Sequence, residues 1–371
     1  MHLLLTVLAM CLFTAHARAS SLPCNAAFAP QVGDKFGWQG ADAAYSIPLP
    51  DGRDVWIFGD TLYGSHRVVR GNDPQMVHNS LGISTCTDGH WNLRYILRHD
   101  ADGHPTSFFS PTNPGHWYWA LDGFYANGDL WVTLLCVRKS AKPAPAGLDF
   151  ETCGSDLAQV SHLDRAPEHW QVTIHPLVPD GVDAYPSATT VVHNGYAYLF
   201  ALYEKGTRPL LVTRIPLTGL DNPATHLEYL GNDDAWHSGF DPARAKEVMP
   251  QGSPELSIRY HPALKQWFAV SFAPGMFSDR IILRTAPTLT GPWTAARNAT
   301  TLYYVPEMQP GPSHGKNIFC YAGKEHPELE TPGNIVFTYV CNTLSPPELT
   351  THPNIYLPQV IRVPLPSDLS R

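Results

Sequence analysis

The chain is short of charge. Asp, Glu, Lys and Arg make up 16% of its 371 residues, and acids outnumber bases 33 to 25. That balance argues against nucleic acid and anionic membranes as partners. Nucleotide and metalloprotease chemistry have no signature either. There is no Walker loop, no Rossmann glycine pattern, no HExxH, no GxSxG, no CxxC and no EF-hand loop. The eighteen histidines have no spacing that names a metal site, so no cofactor is expected, although a structural calcium ion is compatible with the carboxylates described below. No stretch sustains a 3.6-residue apolar period, which disfavours a helical fold. Beyond the first nineteen residues no apolar run reaches membrane-spanning length.

What is present points to export. Residues 1–19 combine the apolar run Leu3–Phe13 with Ala17-Arg18-Ala19, a small-x-small cleavage pattern. The expectation is a signal peptide over 1–19 and a single domain over 20–371, secreted or periplasmic and monomeric. Removing Arg18 with the leader takes the net charge from −8 to −9. Six of the seven cysteines remain, an even number suited to an oxidising compartment. Cys320 and Cys341 flank a hairpin-like stretch, and Cys136 and Cys153 flank a Pro/Ala-rich excursion. Cys24 and Cys86 are left to tie the N-terminal arm to the first sheet. Free buried thiols are the competing reading.

Thirty-five prolines, 28 glycines and 41 aromatic residues suggest many short strands and structured turns. One pattern recurs: strand, turn, aromatic-centred strand, loop, strand. The central strand reads DVWIFGDT, DLWVTLLC, YAYLFALY, QWFAVSFA and IVFTYVCN. Its centres, Trp56, Trp131, Tyr198, Trp267 and Val336, are 75, 67, 69 and 69 residues apart. Five near-equal periods of three or four strands predict an all-β, five-bladed β-propeller. A two-sheet sandwich with accidental spacing is the alternative.

The first repeat differs from the others. GADAAYSIPLPDGRDVWIFGDT reads as a hairpin turning at Asp51-Gly52. Opposed residues then have numbers summing to about 102, which sets Asp42 against Asp60. Opposed Cβ atoms lie roughly 4.5–5.5 Å apart. Two carboxylates that close need a proton, a cation or a substrate between them. The bland alternative has one Asp capping a turn and the other in water. The repeats themselves supply a comparison. The position of Asp60 is Leu135, Leu202, Ser271 and Val340 in the other four, so its carboxylate is not a scaffold requirement.

Further residues could reach the same funnel from other repeats. Glu255 is the next acid, because it interrupts an apolar strand with a group that is costly to bury unpaired. Candidate substrate-binding residues are Trp38, His78, Asn79, Trp119, Asp122, Asp183, Tyr185 and His326, with Trp117 nearby. Acids among aromatic faces suit a sugar: rings stack on its C–H surfaces and carboxylates bind its hydroxyls.

The opening GADAAYSIPLPDGRDVWIFGDT, followed by VHNS, resembles secreted bacterial propeller proteins that include the endo-D-arabinanases of glycoside hydrolase family 183. It is more distantly similar to the furanosidase propellers of families 43 and 62. In that group one aspartate in a GxD element and one in an FGDT element carry catalysis, which the resemblance transfers to Asp42 and Asp60. It implies a secreted glycoside hydrolase acting on a poly- or oligosaccharide, with arabinan-like furanosides as the first candidates. Two rivals stand beside it: a non-catalytic carbohydrate-binding propeller, and a calcium-dependent lactonase or esterase.

Overall fold

The computed structural model describes residues 24–65, 75–142, 149–275, 278–309, 317–345, 348–351 and 354–367. The expected signal segment lies outside the described residues. Among those described, no helix is long and apolar enough to cross a membrane.

Five antiparallel sheets are arranged as a five-bladed β-propeller, as the repeat predicted, and a separate two-stranded ribbon pairs Arg98–His99 with Pro105–Thr106. Each sheet is built from consecutive strands. The inner strands are Trp38–Pro48, His116–Ala126, Ala184–His193, Leu256–His261 and Ile318–Glu325. The aromatic-centred strands of the sequence repeat are the second strands: Arg53–Tyr63, Asp129–Lys139, Tyr196–Tyr203, Gln266–Phe272 and Asn334–Thr343. Blade 5 has three strands; the other blades have four or more.

Second strands face a neighbouring blade on both sides, so their apolar runs do not alternate with polar residues. Val55, Trp56, Ile57 and Phe58 are all fully buried. The core is accordingly divided among the five seams between blades. Ile47, Leu81 and Val55 meet Tyr118 and Leu130 between blades 1 and 2. Trp131 and Leu157 meet Leu199 and Ile215 at the next seam. Phe200 and Val212 meet Ile258 and Trp267 after that, and Val270 and Leu283 meet Phe337 and Cys341. At the last seam Val336 and Leu357 of blade 5 meet Trp56 and Phe58 of blade 1, with Phe28 of the N-terminal arm packed among them.

All three expected disulfides are formed, Cys24–Cys86, Cys136–Cys153 and Cys320–Cys341. Cys320 and Cys341 are direct cross-strand partners. Cys24–Cys86 fastens the arm to blade 1, and Arg362 of blade 5 donates to the Cys24 carbonyl at 3.4 Å.

Four of the five inner strands are interrupted by a register shift: at Ala41/Ala43, Ala120/Asp122, Pro186/Thr189 and Tyr321/Lys324. Bulges of this kind re-aim side chains, and here they do so around the central channel.

Candidate functional site

The predicted register of the first hairpin holds on both sides of Asp42. Ala41 pairs Thr61 and Tyr45 pairs Ile57, while Ala43 is shifted onto Phe58. In the bulge Ala43 and Ala44 have φ of 66° and 61°. The left-handed region costs an L-residue roughly 1–2 kcal/mol. The strain lies immediately beside Asp42, whose carboxylate it lays over Gly59. A Cβ on residue 59 would collide with Asp42 Oδ1, so the glycine of FGDT is the space the aspartate needs. Thr61 Oγ1 donates to the Gly59 carbonyl at 2.8 Å and fixes the far side of this gap.

Asp60 owes its setting to a break in pairing. Strand Gln75–Val77 pairs Thr61–Tyr63, whereas Ser80–Thr87 pairs Arg53–Phe58. His78-Asn79 therefore lies beside Gly59-Asp60. His78 Nδ1 is 3.0 Å from Asp60 Oδ1, and its ring stacks on Trp117 with centroids 4.8 Å apart. The Asp60 side chain is 24% exposed, and its backbone carbonyl accepts from Tyr356 Oη at 2.9 Å.

Asp42 and Glu255 complete a group of three carboxyls on the floor of the funnel. Both are largely enclosed, with part of each still open to solvent. Burial drives the Asp42 carboxyl well above the usual carboxylate range, and the charges of Asp60 and Glu255 add to this; hydrogen bonds from Tyr321 and Tyr356 oppose it. Tyr321 Oη donates to Asp42 Oδ2 at 2.8 Å. Glu255 enters just ahead of the inner strand of blade 4, and its Oε1 accepts from Tyr45 Oη. Burial raises its pKa also, against the pull of Tyr45 and Lys324. Burial and these carboxyls push Tyr45, Tyr321 and Tyr356 far above the ordinary phenol value. They therefore stay neutral and act as donors.

Deeper in the channel sits a different acid. Asp122 is fully buried. It accepts from the Gly123 and Thr190 N–H groups at 2.9 and 2.8 Å and from Thr189 Oγ1 at 2.7 Å. Lys324 Nζ is 3.6 Å away and Arg259 is 3.8 Å away. Burial alone would raise the Asp122 pKa, but the two cations and these donors hold it below the usual value. Burial depresses Lys324 to about 8, with Asp122 opposing. The Lys324 ammonium lies 3.6 Å from the centre of the Tyr45 ring, which links this hub to the floor above it.

The structure thus brings together Asp42, Asp60, Glu255 and His78 of the expected site. Four other expected substrate contacts present no face to the funnel. Trp38 is fully buried and stacks on Tyr95 at 4.1 Å. Asn79 is clamped by Phe109 and Tyr118 backbone groups. His326 is buried between Ser46 and Thr338. Asp122 is the hub just described. Trp119 is half-buried, edge-on to Phe150. Asp183 is exposed and paired with Lys205. Tyr185 and Asp183 line a cavity of about 180 Å³ with Leu121, Ser187 and Pro254, next to Glu255.

Sequence reasoning missed Tyr45, Tyr321, Tyr356 and Lys324. The signal available for Lys324 was a lysine inside an inner strand. For the tyrosines there was none beyond their proximity to the motif or to the last strands.

The family described as "Domain of unknown function (DUF5005)" matches residues 27–364, and the chain belongs to it. No curated protein matches the sequence. Among solved structures, one described as a "putative hydrolase" from Bacteroides ovatus shares 18% identity over 89% of this chain and 87% of that one, with a TM-score of 0.68. A xylan beta-1,4-xylosidase from Bacillus halodurans is 11% identical over 84% of this chain and 51% of that one, with a TM-score of 0.45. A levansucrase from B. megaterium is 13% identical over 94% and 91%, with a TM-score of 0.48. At these identities the likeness is one of fold, and the last two are too distant to support more.

Proposed function

We propose that this DUF5005 propeller is an exported glycoside hydrolase with Asp42 and Asp60 as its catalytic carboxyls. The observation that carries the reading is the contrast within that pair. Asp42 is enclosed, flanked by acids and raised in pKa, whereas Asp60 is open to the funnel and set against His78. Two carboxyls whose surroundings differ in this way divide naturally into acid and base.

Asp42, whose pKa is raised by burial and by the neighbouring acids, is the proton donor in this reading and gives its proton to the departing glycosidic oxygen. Asp60 acts on the other side of the bond, as nucleophile or as the base that activates water. Carboxyl separations of about 5–5.5 Å favour retention and about 6.5–9.5 Å inversion. Glu255, fixed by Tyr45, adds negative potential under the positive charge that builds on the sugar ring. The Trp117–His78 stack offers a flat wall for the sugar. The FGDT and GxD motifs make arabinan-like furanosides the first substrates to try, and the three disulfides fit an oxidising compartment.

The test is a panel of plant and bacterial polysaccharides incubated with wild-type protein and Asp60→Asn. Sugar release by the wild type and not by the mutant supports the reading. Binding without release by either would make the protein a lectin, and chelator-sensitive ester or lactone cleavage would make it a calcium-dependent hydrolase of another class.

A further inference from the structure

A second group of ionisable residues lies at the opposite ends of the inner strands. Glu255 immediately precedes the inner strand of blade 4 and His261 ends it. His261 lies six positions after Glu255, about 20 Å along the strand at roughly 3.3 Å per residue. Glu325 ends the inner strand of blade 5, and Glu330 sits in the turn before its second strand. His261 Nε2 is 2.6 Å from Glu325 Oε1. One nitrogen and two carboxylate oxygens of His261, Glu325 and Glu330 all lie within 4.8 Å of one another.

Two observations separate this group from an ordinary acidic cluster. Glu325 is 1% exposed, and its Oε2 is enclosed without a hydrogen-bond donor. A buried carboxylate oxygen with nothing positive against it is expensive. The neighbouring ionisable groups are already engaged: His326 bonds Ser46 and Thr338, and Glu328 bonds Ser46. The second observation is access. A cavity of about 330 Å³, lined by His261, Leu264, Glu330, Thr331 and Asn334, reaches the cluster. The donors are also held in place. The His261 ring stacks on Phe268 at 3.9 Å, and Glu330 Oε1 accepts from the Val336 N–H at 3.1 Å.

We propose that His261, Glu325 and Glu330 bind a divalent transition-metal ion of the zinc type, clamping blade 4 to blade 5. One imidazole and two carboxylates are a familiar donor class for zinc, with bonds of about 2.0–2.2 Å, and the fourth position falls to water from the cavity. Calcium prefers six to eight oxygen ligands and is a poor match to this set. The competing occupant is a proton shared by Glu325 and Glu330, since burial and Glu325 push the Glu330 carboxyl up to about 9.

The experiment compares chelator-treated wild type with Glu330→Gln and His261→Asn. Zinc, and separately calcium, is added, bound metal is counted after gel filtration, and each sample is melted. The wild type should retain one zinc more than either variant. Saturating zinc should raise its melting temperature by on the order of 5 °C, with no shift in the variants and none from calcium. Equal zinc content and equal melts in all three proteins would overturn the proposal. So would a wild type indifferent to zinc beside a Glu330→Gln that melts higher without metal, which is the shared-proton result. Glu330 is only partly buried, so its amide variant keeps the test alive if His261→Asn folds poorly.

Discussion

The central channel holds two acids one above the other, Asp122 fully buried and Asp42 largely enclosed, and they are treated in opposite ways. Asp122 is surrounded by donors and two cations, and its charge is favoured. Asp42 has two tyrosine hydroxyls and two further acids, and its charge is penalised. The first is how a fold uses an aspartate as a fastener, here joining blades 2, 3, 4 and 5 through Thr189, Arg259 and Lys324. The second is an arrangement a fold has no reason to keep for its own sake. Burial alone does not separate the two; the sign of what surrounds the carboxyl does.

The comparison breaks most visibly if Asp122 is removed. Asp122→Ala leaves the buried Lys324 and the half-buried Arg259 without their counter-ion and should lose about 3–5 kcal/mol of stability, read by chemical denaturation, with Asp122→Asn as the milder version. A variant as stable as wild type would show that the hub is no fastener. Asp60→Asn should behave in reverse. Its melt should match or exceed that of wild type, while sugar release falls at least about a hundredfold, roughly 2.7 kcal/mol of activation free energy. A large drop in melting temperature would instead make Asp60 structural.

The two acids should also carry opposite pH signatures. The raised pKa of Asp42 means that its contribution to stability is complete below the unfolded value, about 3.9, and is lost as pH rises through the folded value. Asp42→Asn should therefore gain on wild type as pH is raised above the unfolded value, and the gain should vanish near pH 4. The depressed pKa of Asp122 gives stability that is present above about 3.9 and disappears as pH falls through the lower folded value. The deficit of Asp122→Asn should accordingly shrink in acid. Parallel melts across pH decide this, and deviations of the same sign in both variants would erase the distinction. The smallest expected effect is that of Tyr321→Phe, about 1 kcal/mol for one hydrogen bond. Because that bond holds the Asp42 pKa down, its loss should move the alkaline limb of the pH–rate profile upward.

The ring was legible because blades are local. Each is written within about seventy consecutive residues, and the second strands betray themselves by apolar runs that have no polar face. The hairpin register that carries Asp42 towards Asp60 was legible for the same reason, since the turn sets it, but the bulge between Ala41 and Ala43 that leaves Asp42 without a strand partner was not. What could not be read is whatever depends on closure. Tyr321 and Asp42 are 279 residues apart in sequence, and nothing local in blade 5 says that its inner strand will stand beside blade 1. Asn79 looked like a site residue because it is polar and near the motif, and His326 because it is polar and at the end of an inner strand. Their side chains turn instead into packing, a direction fixed by register shifts that no periodicity announces. Ala43 and Ala44 are a case in point, because two alanines give no hint of left-handed backbone.

The way the ring is sealed has a bearing on how such a chain can be rearranged. Every described sheet is made of neighbouring strands, and no blade is completed by a strand from the opposite terminus. The seam is held by the arm, by Cys24–Cys86 and by Arg362 reaching the Cys24 carbonyl, so the two ends of the described chain come within a side chain's length of each other. Blade order in the gene is thus separable from blade order in the ring. A circularly permuted chain, joined across this seam and opened in a linker between two other blades, would have the same sheets to form and the same floor to assemble.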